Sequence, residues 1–117
     1  MKLSPDKVLA MVRKQCLSYP ESNETAAWSH PNFRAGKKAF VTFERWEGRA
    51  SIAFRVPDAE KEKGRSGGEF FVTPYGRGQW VSLWIDKAIP EWSVIEKLID
   101  TGYRLVALKR MLAALDN

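Results

Sequence analysis

The chain has 117 residues, 44% of them apolar and 28% charged, a balance that fits one globular domain over residues 1–117 and excludes an intrinsically disordered chain. A chain of this length buries about two-thirds of its unfolded surface, so it needs no staple to hold a core. The net charge of +5 and the sequence pI of about 9.5 favour polyanions as partners without specifying one.

Ser4-Pro5 opens a first helix, because serine caps free amides and proline suits the first helical position. Val8, Leu9, Val12 and Cys16 recur at helical spacing, and the helix ends before Tyr19-Pro20. Glu24 to Trp28 reads as a short strand and Ser29-His30-Pro31-Asn32 as a loop. Residues 38–46 and 50–56 form the clearest hairpin, with Trp46 and Arg49 flanking a tight Glu47-Gly48 turn. That register sets Phe43 opposite Ile52, Val41 opposite Phe54 and Ala39 opposite Val56, all on one apolar face. The other face receives Lys38, Phe40, Thr42, Glu44 and Trp46, across from Ser51, Ala53 and Arg55.

Pro57 ends the second strand, Asp58 to Arg65 forms a short exposed helix, and Ser66-Gly67-Gly68 breaks it. Glu69 to Thr73 reads as a strand, Pro74 to Gly78 as a turn or mobile loop, and Gln79 to Asp86 as a strand with Val81, Leu83 and Ile85 inward and Trp80, Ser82 and Trp84 outward. Pro90-Glu91 begins the last helical region, in which Gly102 caps a first helix or marks a bend. The predicted order is α-β-β-β-α-β-β-α: an α+β fold with a five-stranded antiparallel sheet and helices mainly on one face.

Catalytic chemistry finds little support. The only cysteine and the only histidine are Cys16 and His30, too few for a structural zinc site. Cys16 continues an apolar stripe, which fits a buried thiol better than a nucleophile. The glycines fall in neither GxxxxGK[ST] nor GxGxxG spacing. The expectation is no enzyme, no metal and no cofactor. No segment approaches the roughly 20 apolar residues of a membrane span, and the amino terminus shows no apolar run of a signal peptide. A cytoplasmic protein without membrane contact is expected.

Charge is the better guide. Residues 33–55 carry six basic and two acidic side chains, whereas residues 91–117 carry four of each. The basic hairpin region, with Phe40 and Trp46 nearby for stacking, suits phosphates and bases. Trp80 and Trp84 fall outside the predicted core face and extend an aromatic surface of the kind that marks an interface.

Three stretches resemble the MmcQ/YjbR family of small bacterial proteins: Trp28 to Phe40 (WSHPNFRAGKKAF), Gln79 to Leu83 (QWVSL) and Thr101 to Ala107 (TGYRLVA). Family members usually have serine where this chain has Gly102. The resemblance implies an α+β sandwich similar to type III secretion chaperones, and DNA binding through hairpin wings. The residues expected to contact DNA are Arg34, Lys37, Lys38, Arg55 and Arg77, with Phe40, Trp46, Trp80 and Trp84 as stacking or interface residues. A protein-interaction or chaperone-like module, using the aromatic face to hold a partner segment or a second copy, is the alternative. An enzyme or small-ligand receptor, with a cleft near His30, is the third reading.

Overall fold

The computed structural model describes residues 3–27 and 29–117. Helix α1 (Pro5–Leu17) starts as the sequence predicts, with the Lys7 amide donating to Ser4 Oγ at 3.3 Å. Its buried stripe is Val8, Val12 and Cys16. Strands β1 (Ser22–Ala27), β2 (His30–Ala35), β3 (Lys38–Trp46) and β4 (Arg49–Arg55) follow, then α2 (Ala59–Glu62), β5 (Phe70–Val72), β6 (Trp80–Trp84), α3 (Trp92–Val106) and α4 (Lys109–Asp116). The six strands of the described residues join one antiparallel sheet in the order β1-β2-β3-β4-β6-β5.

The sheet therefore has six strands rather than five, and the extra one is β2. Its first half was expected to be a loop because His30-Pro31-Asn32 is rich in turn formers. Proline is tolerated there because β3 pairs with β2 only from Asn32 onward, so Pro31 faces a neighbour on one side alone. Strand β1 begins two residues earlier than expected, and Trp28 lies outside the described residues. Helix α2 is a single turn rather than eight residues, and the final helical region splits at Ala107 and Leu108, whose backbones are extended.

The β3–β4 hairpin has the predicted register. Trp46 pairs with Arg49, Phe43 with Ile52 and Val41 with Phe54. Glu47 and Gly48 have φ values of 52° and 81°, as a two-residue type I′ turn requires. The expected continuation to Ala39 and Val56 fails, because the β2–β3 register shifts: Phe33 pairs with Val41 but Arg34 with Ala39. Phe40 is the extra residue of that β-bulge. A bulge restarts the alternation, so Phe40 turns inward and is wholly buried, edge-on to Tyr19 and Tyr103. Ala39 moves to the side of Arg34. The core joins Phe33, Val41, Phe43, Ile52, Phe54, Val81 and Leu83 to the buried residues of α1 and α3, which cover this face.

Gly102 neither caps nor bends α3; it lies inside the helix, where a β-carbon would stand 2.9 Å from the Phe40 carbonyl oxygen and 3.2 Å from that of Arg55. Both obstacles are backbone, so a side chain there must lift α3 from the sheet. The next residue, Tyr103, stacks on Tyr19 with ring centroids 4.4 Å apart and donates to the Pro20 carbonyl at 2.7 Å. Gly102→Ala is expected to cost about 1–3 kcal/mol from overpacking, despite alanine's advantage of about 1 kcal/mol inside a helix. A thermal midpoint that rises in this variant would show that α3 has room to spare.

Candidate functional site

The face of the sheet away from α1 and α3 carries Thr42, Glu44 and Trp46 from β3, Ser51, Ala53 and Arg55 from β4, and Trp80, Ser82 and Trp84 from β6. Ser51, Ala53 and Ser82 are buried even here, while the three tryptophans are half-buried. Small residues floor the middle of this face and aromatic side chains wall it. Trp84 is engaged on its ring by Phe71, stacked at 4.6 Å, and by the Arg49 guanidinium at 4.0 Å, which also forms a two-pronged pair with Asp86. Trp80 is contacted by Arg55 at 5.5 Å. Trp46 buries its Nε1 without an acceptor among the described residues.

The β5–β6 loop folds over one end of this face. It is not loose: Thr73 and Gly76 amides, and those of Gln79, Val56 and Ala59, all bond within it or to it. The Thr73 and Ser82 hydroxyls meet at 2.7 Å beneath it. Tyr75 and Arg77 hold φ values of 66° and 54°, which non-glycine residues seldom adopt. At the crest Tyr75 is 94% exposed. Below it a groove of about 200 Å³ is lined by Thr42, Glu44, Ala53, Thr73 and Trp80.

The five predicted DNA contacts come from separate elements but share one end of the sheet. Arg34 is the penultimate residue of β2, Lys37 lies in the β2–β3 turn, Lys38 begins β3, Arg55 ends β4, and Arg77 sits in the β5–β6 loop. They do not share one face. Lys38 pairs with the buried Ala35, so it does not stand beside Arg55 as expected. Lys37 and Lys38 instead border a hollow of about 430 Å³ with Val106, Leu108, Arg110 and Met111. Phe40 leaves the set of surface aromatics, since the bulge buries it.

Lys61 of α2 and Lys109 of α4 also belong to this end, because Ala59 bonds the Gly78 carbonyl and α4 packs beside Gly36. Sequence reading missed both, since their placement depends on how α2 and α4 dock. Among the described residues none of these seven cations has an ion-pair partner. The acids nearby are taken: Glu21 by Arg110, Glu60 by Lys63 and Glu62 by Arg65, while Asp58 caps α2.

Glu44 is the odd charge on the open face. It is half-buried, has no ion-pair partner among the described residues, and accepts only a long 3.5 Å contact from Thr42. Burial raises its carboxyl above the usual range, partly offset by the Thr42 hydroxyl and the charge of His30. A carboxyl raised on folding contributes stability that is full below its unfolded pKa and lost as pH climbs through the folded value. Glu44→Gln is therefore expected to raise the melting temperature at about pH 7 and to give no gain at about pH 4. Equal shifts in thermal scans at the two pH values would contradict this. His30 lies nearby with Asn32, Thr42 and Phe43 around a smaller hollow. Cys16 is wholly buried, and burial pushes its thiol up. Among the described residues no group of three histidine, cysteine, aspartate or glutamate side chains is placed to hold a metal, and no helix is long and apolar enough to cross a membrane.

An antiparallel sheet covered by helices on one face, open and aromatic on the other, and edged by unpaired cations at one end defines a small α+β protein with a bare working surface. A family model described as YjbR matches residues 17–105, and the chain belongs to the YjbR family. No curated protein matches it.

Proposed function

We propose that the protein is a non-enzymatic, cytoplasmic DNA-binding protein that grips duplex phosphates with Arg34, Lys37, Lys38, Arg55 and Arg77. One observation carries this reading: Glu21, Glu60, Glu62 and Asp58 at that end of the sheet are occupied by other cations or by a helix cap, and among the described residues none of these five cations has an ion-pair partner. From β2 to β6 is three inter-strand spacings, roughly 14 Å. That length of duplex axis carries roughly eight phosphate charges, ample for five cations. The buried stripes of α1 and α3 face the sheet, so neither is a free recognition helix, and sequence discrimination is weak. The test is a gel-shift titration with unrelated duplexes at about 50 mM salt, in which similar affinities support the reading.

A second reading is a protein-interaction or chaperone-like module, or a homodimer, using the aromatic sheet face. It is favoured by Tyr75, presented almost fully exposed beside half-buried Trp80, and by the likeness to secretion chaperones that the resemblance implies. Absence of duplex binding in the same titration would put this reading ahead.

A further inference from the structure

We infer that the groove beneath Tyr75 receives a single unpaired nucleobase, guanine by preference, from a nucleic-acid strand whose phosphates lie on Arg55 and Arg77. This deepens the DNA-binding reading and rests on it.

The groove decides the ligand class by size and charge. Its volume of about 200 Å³ falls below the roughly 300–1,000 Å³ that hold a drug-sized molecule, but a flat ring system needs no more. Its walls offer aromatic surface from Trp80 and Tyr75 over a floor of Thr42, Ala53 and Thr73. Every base has a π-face, so stacking here is open to any of them. Tyr75 is held outward by a positive φ inside a hydrogen-bonded loop rather than by burial of its ring. Strain of this kind persists only where the surrounding structure enforces it.

Glu44 narrows the choice. Among the described residues this carboxylate forms no ion pair, and His30 acts on it only as a charge across the hollow they share, so it is open to donors. A small organic cation would satisfy it, but must approach Arg55 on Trp80 and Arg77 in the loop above, and both repel it. A base in a polyanionic strand meets both demands: it is neutral, it carries N–H donors, and its own phosphates suit the two arginines. Ionised glutamate only accepts, through two oxygens side by side. Guanine alone among the common bases presents two adjacent donors, N1–H and N2–H, on its Watson–Crick edge. Adenine and cytosine set a donor beside an acceptor there, and thymine sets its one donor between two acceptors. Reading that edge requires an unpaired base, since a duplex hides it.

The experiment compares three labelled DNAs by fluorescence anisotropy: a single-stranded thymidine oligomer with one central guanine, the all-thymidine oligomer, and a mixed-sequence duplex. The native protein is expected to bind the guanine oligomer roughly 10-fold more tightly than the all-thymidine one, the range of a bidentate base contact. Glu44→Gln should erase that preference and leave duplex affinity within about twofold, since one added charge is largely screened. Tyr75→Ala should weaken both single strands alike. Thermal melts of both variants establish that they fold. Equal affinity of the native protein for the two oligomers, or a preference that survives Glu44→Gln, overturns the inference. If duplex binding persists in that case, the phosphate-binding reading stands without it; if no DNA binds at all, both fall.

Discussion

Phe43→Ala is expected to lower the free energy of unfolding by about 3–5 kcal/mol. Phe43 is 6% exposed and pairs with Ile52, which in turn pairs with Leu83, so its ring belongs to an apolar row across the middle of the sheet. Truncation removes the ring from between β3 and the helices and leaves a void that a sheet fixed by pairing on both sides relaxes into poorly. The Arg45 guanidinium, 5.5 Å from the ring centroid, and the tilted His30 ring lose their contact as well. Against a typical total of about 5–15 kcal/mol, such a loss brings the domain close to unfolding. Thr42, one residue away on the open face, is the control: Thr42→Ala should stay within about 1 kcal/mol. Urea titrations of the two variants check the alternation directly. A midpoint unchanged in Phe43→Ala, or a larger loss in Thr42→Ala, would mean that the faces of β3 are exchanged.

The hairpin around Glu47-Gly48 was legible because two independent signals agree there. The turn residues fix a two-residue connection, and the alternation on both strands gives the same register. Phe40 was not legible for the opposite reason. Ala39, Phe40 and Val41 are apolar in succession, so period-two reasoning fits either phase and says nothing of an inserted residue. What places Phe40 is the gap between Tyr19 and Tyr103, which come from a helix end and a helix 84 residues apart in the chain. Strand β2 was hidden by composition, since proline and asparagine carry turn signals even where a neighbour holds them extended. Gly102 was misread because glycine serves two purposes, and only the packed structure separates them: its backbone is not among the positive-φ positions, and its missing side chain lets α3 approach the sheet.

The site divides in the same way. Alternation alone puts Thr42, Glu44, Trp46, Trp80 and Trp84 on the open face, where the structure has them. That the basic residues gather at one end follows from antiparallel connectivity, given a correct strand order. Neutralisation does not follow from sequence. Arg49 and Arg55 are alike as letters, yet Asp86 neutralises the first, and among the described residues the second has no ion-pair partner and lies over Trp80. Glu44 looks ordinary among alternating residues until its neighbours turn out to be threonine and tryptophan rather than lysine.

That difference between paired and unpaired cations sets the salt response expected of the proposed DNA binding. Each phosphate neutralised releases condensed counterions, and the log–log slope on duplex DNA is about −0.9 per contact. Five contacts, from Arg34, Lys37, Lys38, Arg55 and Arg77, give a slope of about −4.5, hence a loss of roughly 500-fold in affinity between about 50 and 200 mM salt. Replacing Lys37 and Lys38 together by alanine should weaken binding to unrelated duplexes alike and flatten the slope by about two units. Both side chains are exposed at the β2–β3 turn, so the double variant should fold as the native protein does. Arg110→Ala provides the contrast: its guanidinium is already held by both carboxylate oxygens of Glu21, so it should change the slope by well under one unit. An unchanged slope in the double lysine variant would remove the β2–β3 turn from the interface. A slope that instead responded to Arg110→Ala would mean that DNA competes Glu21 away, and that the ion pairs of this end open on binding.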